Sequence, residues 1–126
     1  MKNASLFLSF FLIVGCNLSS SEGAGDFSPI ALDQLWTEIN QLATSQNCTD
    51  ANDWTFTPVG SKPCGGPMAY IAYSRKIDEK RFLELVQRYT ELQADYNKRT
   101  GAGSDCAIVQ RPSGVICENS KAVLVY

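Results

Sequence analysis

This chain of 126 residues contains five cysteines and no histidine, and that pair of facts sets the limits on its chemistry. Without histidine there is no Ser-His-Asp or Cys-His nucleophile arrangement, no histidine-rich zinc site and no imidazole base near neutral pH. The nearest serine-lysine pattern, Ser61-Lys62, places adjacent residues in an expected loop. Asp50, Asp53, Asp78, Glu79 and Asp105 supply carboxylates, but their spacing puts no two of them at the separation glycoside hydrolysis requires. Asp50, Asn52 and Asp53 offer oxygen ligands for calcium, yet the segment lacks the twelve-residue EF-hand order and its closing glutamate. An Asx-rich turn accounts for the same residues. Cys64-Gly65-Gly66-Pro67 has no second cysteine at the thioredoxin spacing, so its glycines and clamped cysteine read as structural. No cofactor-binding motif is present.

The cysteines are better explained by export. Lys2 gives a positive start, Leu6–Val14 form an apolar run too short to span a bilayer, and the run ends in Ile13-Val14-Gly15-Cys16. This ending resembles the lipobox of bacterial lipoprotein signal peptides. The resemblance covers the targeting region alone; it implies cleavage before Cys16, lipidation of Cys16 and a place in the bacterial cell envelope, at the outer membrane or cell surface. Residues 1–15 are thus expected to be a signal peptide, and 16–25 a lipidated cysteine with a flexible tether rich in Ser and Gly. One small domain over 26–126 follows. Its four remaining cysteines, Cys48, Cys64, Cys106 and Cys117, are expected to form two disulfides, with three possible pairings. Local closure favours Cys48 with Cys64 and Cys106 with Cys117.

With Lys2 removed, ten basic residues face thirteen acidic ones, a formal charge of −3. Nucleic acid is therefore not an expected partner, because phosphate binding requires a basic surface. Membrane association would come from the lipid anchor alone.

The elements that must position any site are those of a small α+β domain. Ser28 and Pro29 announce a helix, with Phe27 and Leu32 as a hydrophobic staple. Leu32, Leu35, Trp36, Ile39, Leu42 and Ala43 make its apolar face. A longer helix opens near Asp78 and presents Phe82, Leu85, Val86, Tyr89, Leu92 and Tyr96 on one side. Gly101 and Gly103 stop it. Between these helices, Trp54 and Phe56 alternate with threonines as a short strand that Pro58 and Gly60 should interrupt. Gly65-Gly66-Pro67 should turn the chain into a short helix through Met68, Tyr70, Ile71 and Tyr73, with a strand as the alternative. The runs Cys106–Val109, Gly114–Cys117 and Lys121–Tyr126 predict a three-stranded antiparallel C-terminal meander across the helices.

Aromatic content suggests recognition rather than catalysis. Trp36, Phe82, Tyr89 and Tyr96 fall on the apolar stripes and are assigned to the core. Trp54, Gly65, Gly66, Tyr70 and Tyr73 form the candidate recognition patch, since Trp and Tyr combine apolar area with a polar tip. The expected role is a non-catalytic cell-envelope binding module, inhibitor-like and directed at a protein partner. A glycan-binding module and a small carboxylate-based hydrolase are the alternatives. A flat patch around Trp54 and Tyr70 would favour a protein; a groove with a ring on its floor and amides or carboxylates at its edge would favour a glycan.

Overall fold

The computed structural model describes residues 28–126. The expected leader over 1–15, the tether over 16–25 with Cys16, and the staple residue Phe27 lie outside the described residues. Helix α1 spans Pro29–Ala43 and helix α2 spans Glu79–Thr100. Each starts where the local chemistry requires. Ser28 Oγ accepts from the Ala31 amide at 3.1 Å with Pro29 in the first turn, and Asp78 Oδ1 accepts from the Arg81 amide at 3.1 Å. Gly101 closes α2 in the left-handed conformation.

The two apolar faces meet over the first half of α2; Leu92 and Tyr96, further along the same stripe, are half-buried and lie outside the core, contrary to the assignment of Tyr96 to it. Ile39, Ala43, Phe82, Val86 and Tyr89 are buried together, and the Trp36 ring lies 5.4 Å from that of Tyr89. Among the described residues no helix is long and apolar enough to cross a membrane.

The β-structure differs from the expectation. There is no three-stranded meander; two separate two-stranded antiparallel sheets form instead. Strand β1 (Trp54–Val59) pairs with β2 (Ala69–Ser74), and β3 (Gly114–Glu118) pairs with β4 (Lys121–Val125). The Tyr70–Tyr73 run is therefore a strand and not the short helix. Gly65 and Gly66, at φ 94° and 80°, help turn the chain back, and Tyr70–Ser74 gives β1 the partner that no other segment supplies.

Pro58 lies inside β1 rather than ending it. The Arg75 amide donates to the Asp53 carbonyl, which makes Trp54 and Ser74 a non-hydrogen-bonded pair. The two-residue alternation puts Pro58 and Tyr70 in the same class, so the missing donor of Pro58 faces away from β2.

Cys106–Val109 does not form the expected first meander strand. Cys106 sits at φ 54°, outside the range of a strand, and Lys62 Nζ takes the Ala107 carbonyl at 2.6 Å. The disulfides are also non-local. Cys48 bonds Cys117 and Cys64 bonds Cys106, so neither expected local pairing occurs.

These pairings produce three layers. On the β1–β2 hairpin, Val59, Ala69, Ile71 and Tyr73 face the helices and join their core. Trp54, Phe56, Ala72 and Tyr70 alternate onto the opposite face, toward β3–β4. The β3–β4 turn at Asn119 and Ser120, both with positive φ, has the form of a two-residue hairpin loop.

Phe82 is fully buried at the centre of this arrangement. Phe82→Ala should cost about 3–5 kcal/mol in urea unfolding, while Ile30→Ala, on the outer face of α1, should leave the midpoint unchanged. A loss below about 1 kcal/mol for Phe82→Ala would contradict this core assignment.

Candidate functional site

The five residues of the candidate recognition patch divide between the interior and the surface. Trp54 is 7% exposed and Tyr73 4%, whereas Tyr70 is half-buried and Gly65 and Gly66 are exposed. Tyr73 goes inward because its ring packs on Phe82, with centroids 4.6 Å apart, and its hydroxyl donates to Glu79 Oε1 at 2.8 Å. Burial, and then the hydrogen bond to Glu79, push the Tyr73 hydroxyl up to about 12. A flat patch containing Trp54 and Tyr70 together does not form.

What remains at the surface is organised by a run of polar side chains on α2. Thr90, Gln93 and Asn97 recur three and four residues apart, so they share one helical face. Thr90 Oγ1 accepts from the Gly60 amide at 3.0 Å, Gln93 Oε1 from the Ser61 amide at 2.7 Å, and Asn97 Nδ2 donates to the Ser61 carbonyl at 2.8 Å. This ladder clamps the chain as it leaves β1. Gly60 is required there: its φ is +75°, and an added Cβ would lie 2.5 Å from Gln93 Oε1 and 3.0 Å from Met68 Cβ.

From the clamped segment a second set of bonds reaches the loop after α2. Lys62 Nζ donates to Asp105 Oδ1 at 2.9 Å and to the Ala107 carbonyl, and two residues later Cys64 is covalently joined to Cys106. The hydrogen bond from Lys62, with another from the Ala107 amide, holds the Asp105 carboxyl below its ordinary value. The far shoulder of the loop is fixed by Pro112, which is buried, and by Arg111, whose guanidinium lies 5.7 Å from the Phe56 ring centroid. Phe56 in turn meets Tyr70 edge to face at 6.0 Å.

Between these two anchored shoulders, Ile108 is 96% exposed. The β-branched run Cys106–Val109 reads as a strand in sequence, but Ile108 lies in no strand and its side chain is left in solvent. The available signal was its position between Gly103-Ser104-Asp105 and Gln110-Arg111-Pro112, two breaking segments that leave a short apolar run without a partner.

The carboxylates proposed for hydrolysis are dispersed into separate structural roles. Asp50 Oδ1 accepts from the Asn52 amide and caps a 3-10 turn over Ala51–Asp53, Asp53 pairs with Lys76, and Asp78 caps α2. Glu79 receives Tyr73, and Asp105 receives Lys62. Among the described residues no group of three or more histidine, cysteine, aspartate or glutamate side chains is placed to hold a metal ion. Asp50 and Asn52 thus form the Asx turn that their sequence also allows.

The chain matches no protein family and no curated protein in sequence, and no solved structure in fold.

The raised Tyr73 hydroxyl gives a pH signature. Because the folded value lies above the unfolded one near 10, the contribution is complete below pH 10 and is lost as pH rises toward 12. Urea unfolding midpoints should fall between pH 10 and pH 12, and Tyr73→Phe should flatten that fall. Tyr89, also raised by burial, should leave part of it in place. An identical slope in Tyr73→Phe and the parent chain would contradict the assignment.

Proposed function

We propose that the chain is a non-catalytic, inhibitor-like recognition module of the bacterial cell envelope, whose loop over 104–111 presents Ile108 to an apolar pocket of a protein partner. The observation that carries this reading is the near-complete exposure of Ile108 on a loop tied at both shoulders. Moving an isoleucine side chain from water into an apolar pocket is worth about 1.5–3 kcal/mol. A loop already held by a disulfide, by Lys62 and by the Arg111–Phe56 contact loses less conformational freedom on binding, so more of that gain survives as affinity. Tyr70, Gly65 and Gly66 are the surface members of the sequence-derived patch and would flank the contact. The reading favours a protein because one protruding apolar side chain suits insertion into a partner's pocket. A secreted enzyme that the chain inhibits is the leading case.

Placement at the envelope rests on the lipobox resemblance at Ile13–Cys16 and on the exported character that two disulfides give a small domain. Lipidation of Cys16 would hold the domain at the outer membrane or cell surface, with the tether giving it reach.

A photoreactive phenylalanine analogue at position 108, introduced in the producing cells, tests the proposal. It should crosslink one protein, and the same probe at Glu84, on the exposed face of α2, should not. Ile108→Asp should abolish co-purification of that protein without moving the thermal midpoint. Equal crosslinking from both positions, or unchanged capture by Ile108→Asp, would contradict the reading.

A further inference from the structure

The opposite end of the β1–β2 hairpin carries a second feature, a groove of about 360 Å³ beside Trp54. It lies where α1 ends, where β1 begins and where the β3–β4 turn folds back. The Cys48–Cys117 disulfide and a 2.9 Å bond from the Cys48 amide to the Ser120 carbonyl hold these parts together. The Ile108 loop is linked to the other end of the hairpin, roughly 17 Å away along the six residues of β1.

The lining is chemically divided. Trp54, Ala72 and Ala122 give an apolar wall, and Gln46, Asn47, Ser120 and Lys121 give a polar rim. Trp54 is more than nine-tenths buried, yet its indole N–H makes no hydrogen bond to any described residue and is not sealed from solvent. Lys121 forms no ion pair with any described residue, and no aspartate or glutamate lines the groove. The volume is at the low end of ligand pockets, which suits a single ring-sized molecule.

We infer that this groove binds one sugar unit bearing a carboxylate, of the uronic acid class. A pyranose offers an apolar C–H face to the Trp54–Ala72–Ala122 wall, and its hydroxyls can both donate to and accept from the Gln46 and Asn47 amides. The carboxylate answers the Lys121 ammonium, a charge-assisted hydrogen bond stronger than a neutral one. This site is separate from the Ile108 loop, so its failure would leave the protein-recognition proposal standing, and the reverse also holds.

The test uses the full chain and its two tryptophan indole N–H signals in nitrogen–proton correlation spectra, with Trp36→Phe to assign the one from Trp54. Methyl glucuronide acid, methyl glucoside and acetate are titrated separately. The glucuronide should shift the Trp54 signal with a Kd about tenfold lower than the glucoside. Lys121→Gln should remove that advantage and leave glucoside binding unchanged, and Asn47→Ala should weaken both sugars. An unmoved Trp54 signal, an equal response to acetate, or an unchanged glucuronide Kd in Lys121→Gln would overturn the inference.

Discussion

Two covalent bridges between distant parts of the chain determine where its last quarter lies. Among residues 101–126 only Pro112 is buried, and the strands β3 and β4 are half-buried or exposed along their length. Apolar burial alone gives this segment little reason to stay on the domain. Cys48–Cys117 and Cys64–Cys106 close separations of 69 and 42 residues, and the loop-closure entropy removed from the unfolded chain is worth about 4 kcal/mol for each. The bridges secure opposite ends of the β1–β2 hairpin. That hairpin is itself fixed by the buried cluster of Ile39, Val59, Tyr73, Phe82 and Val86. The core therefore positions the hairpin, and the bridges position everything placed against its outer face.

The proposed recognition loop is the end of a chain of dependence that begins on α2. Thr90, Gln93 and Asn97 hold residues 60 and 61; Lys62 and Cys64 then hold residues 105–107. The first set of bonds runs from a helix to a loop, and the second from that loop to the next. The Lys62 side chain is largely covered while the Asp105 carboxylate is exposed, so solvent still screens the pair and its contribution to global stability is small. Its effect is local, since the same ammonium also donates to the Ala107 carbonyl and so ties two points of the loop to residue 62.

The helices were readable because their signals are local. Ser28, Pro29 and Asp78 cap within three residues of themselves, and the apolar stripes repeat at helical spacing within single segments. The disulfide pairing was not, because nearness in sequence carries no information about two hairpins stacked face to face. The Ala69–Ser74 strand was ambiguous until β1 was known to lack another partner. Ile108 was misplaced because a β-branched run looks like a strand whether or not a partner lies beside it. Of the proposed patch, Gly65, Gly66 and Tyr70 are at the surface, while Trp54 and Tyr73 were drawn inward by faces that only the hairpin register defines. The polar ladder on α2 was overlooked beside its apolar stripe, although Thr90, Gln93 and Asn97 share one side of the helix.

The central claim is that residues 105–110 are held in one arrangement before any partner arrives. Backbone nitrogen relaxation reports this directly, because it measures amplitude on the picosecond to nanosecond scale for each amide. In the oxidised chain the order parameters of Ala107 and Ile108 should approach about 0.85, the value of rigid backbone, and in Lys62→Met with Cys64→Ala and Cys106→Ala they should fall below about 0.6. Order parameters below about 0.6 in the unaltered, oxidised chain would contradict the account, since a loop that moves so freely would not be pre-organised for a partner.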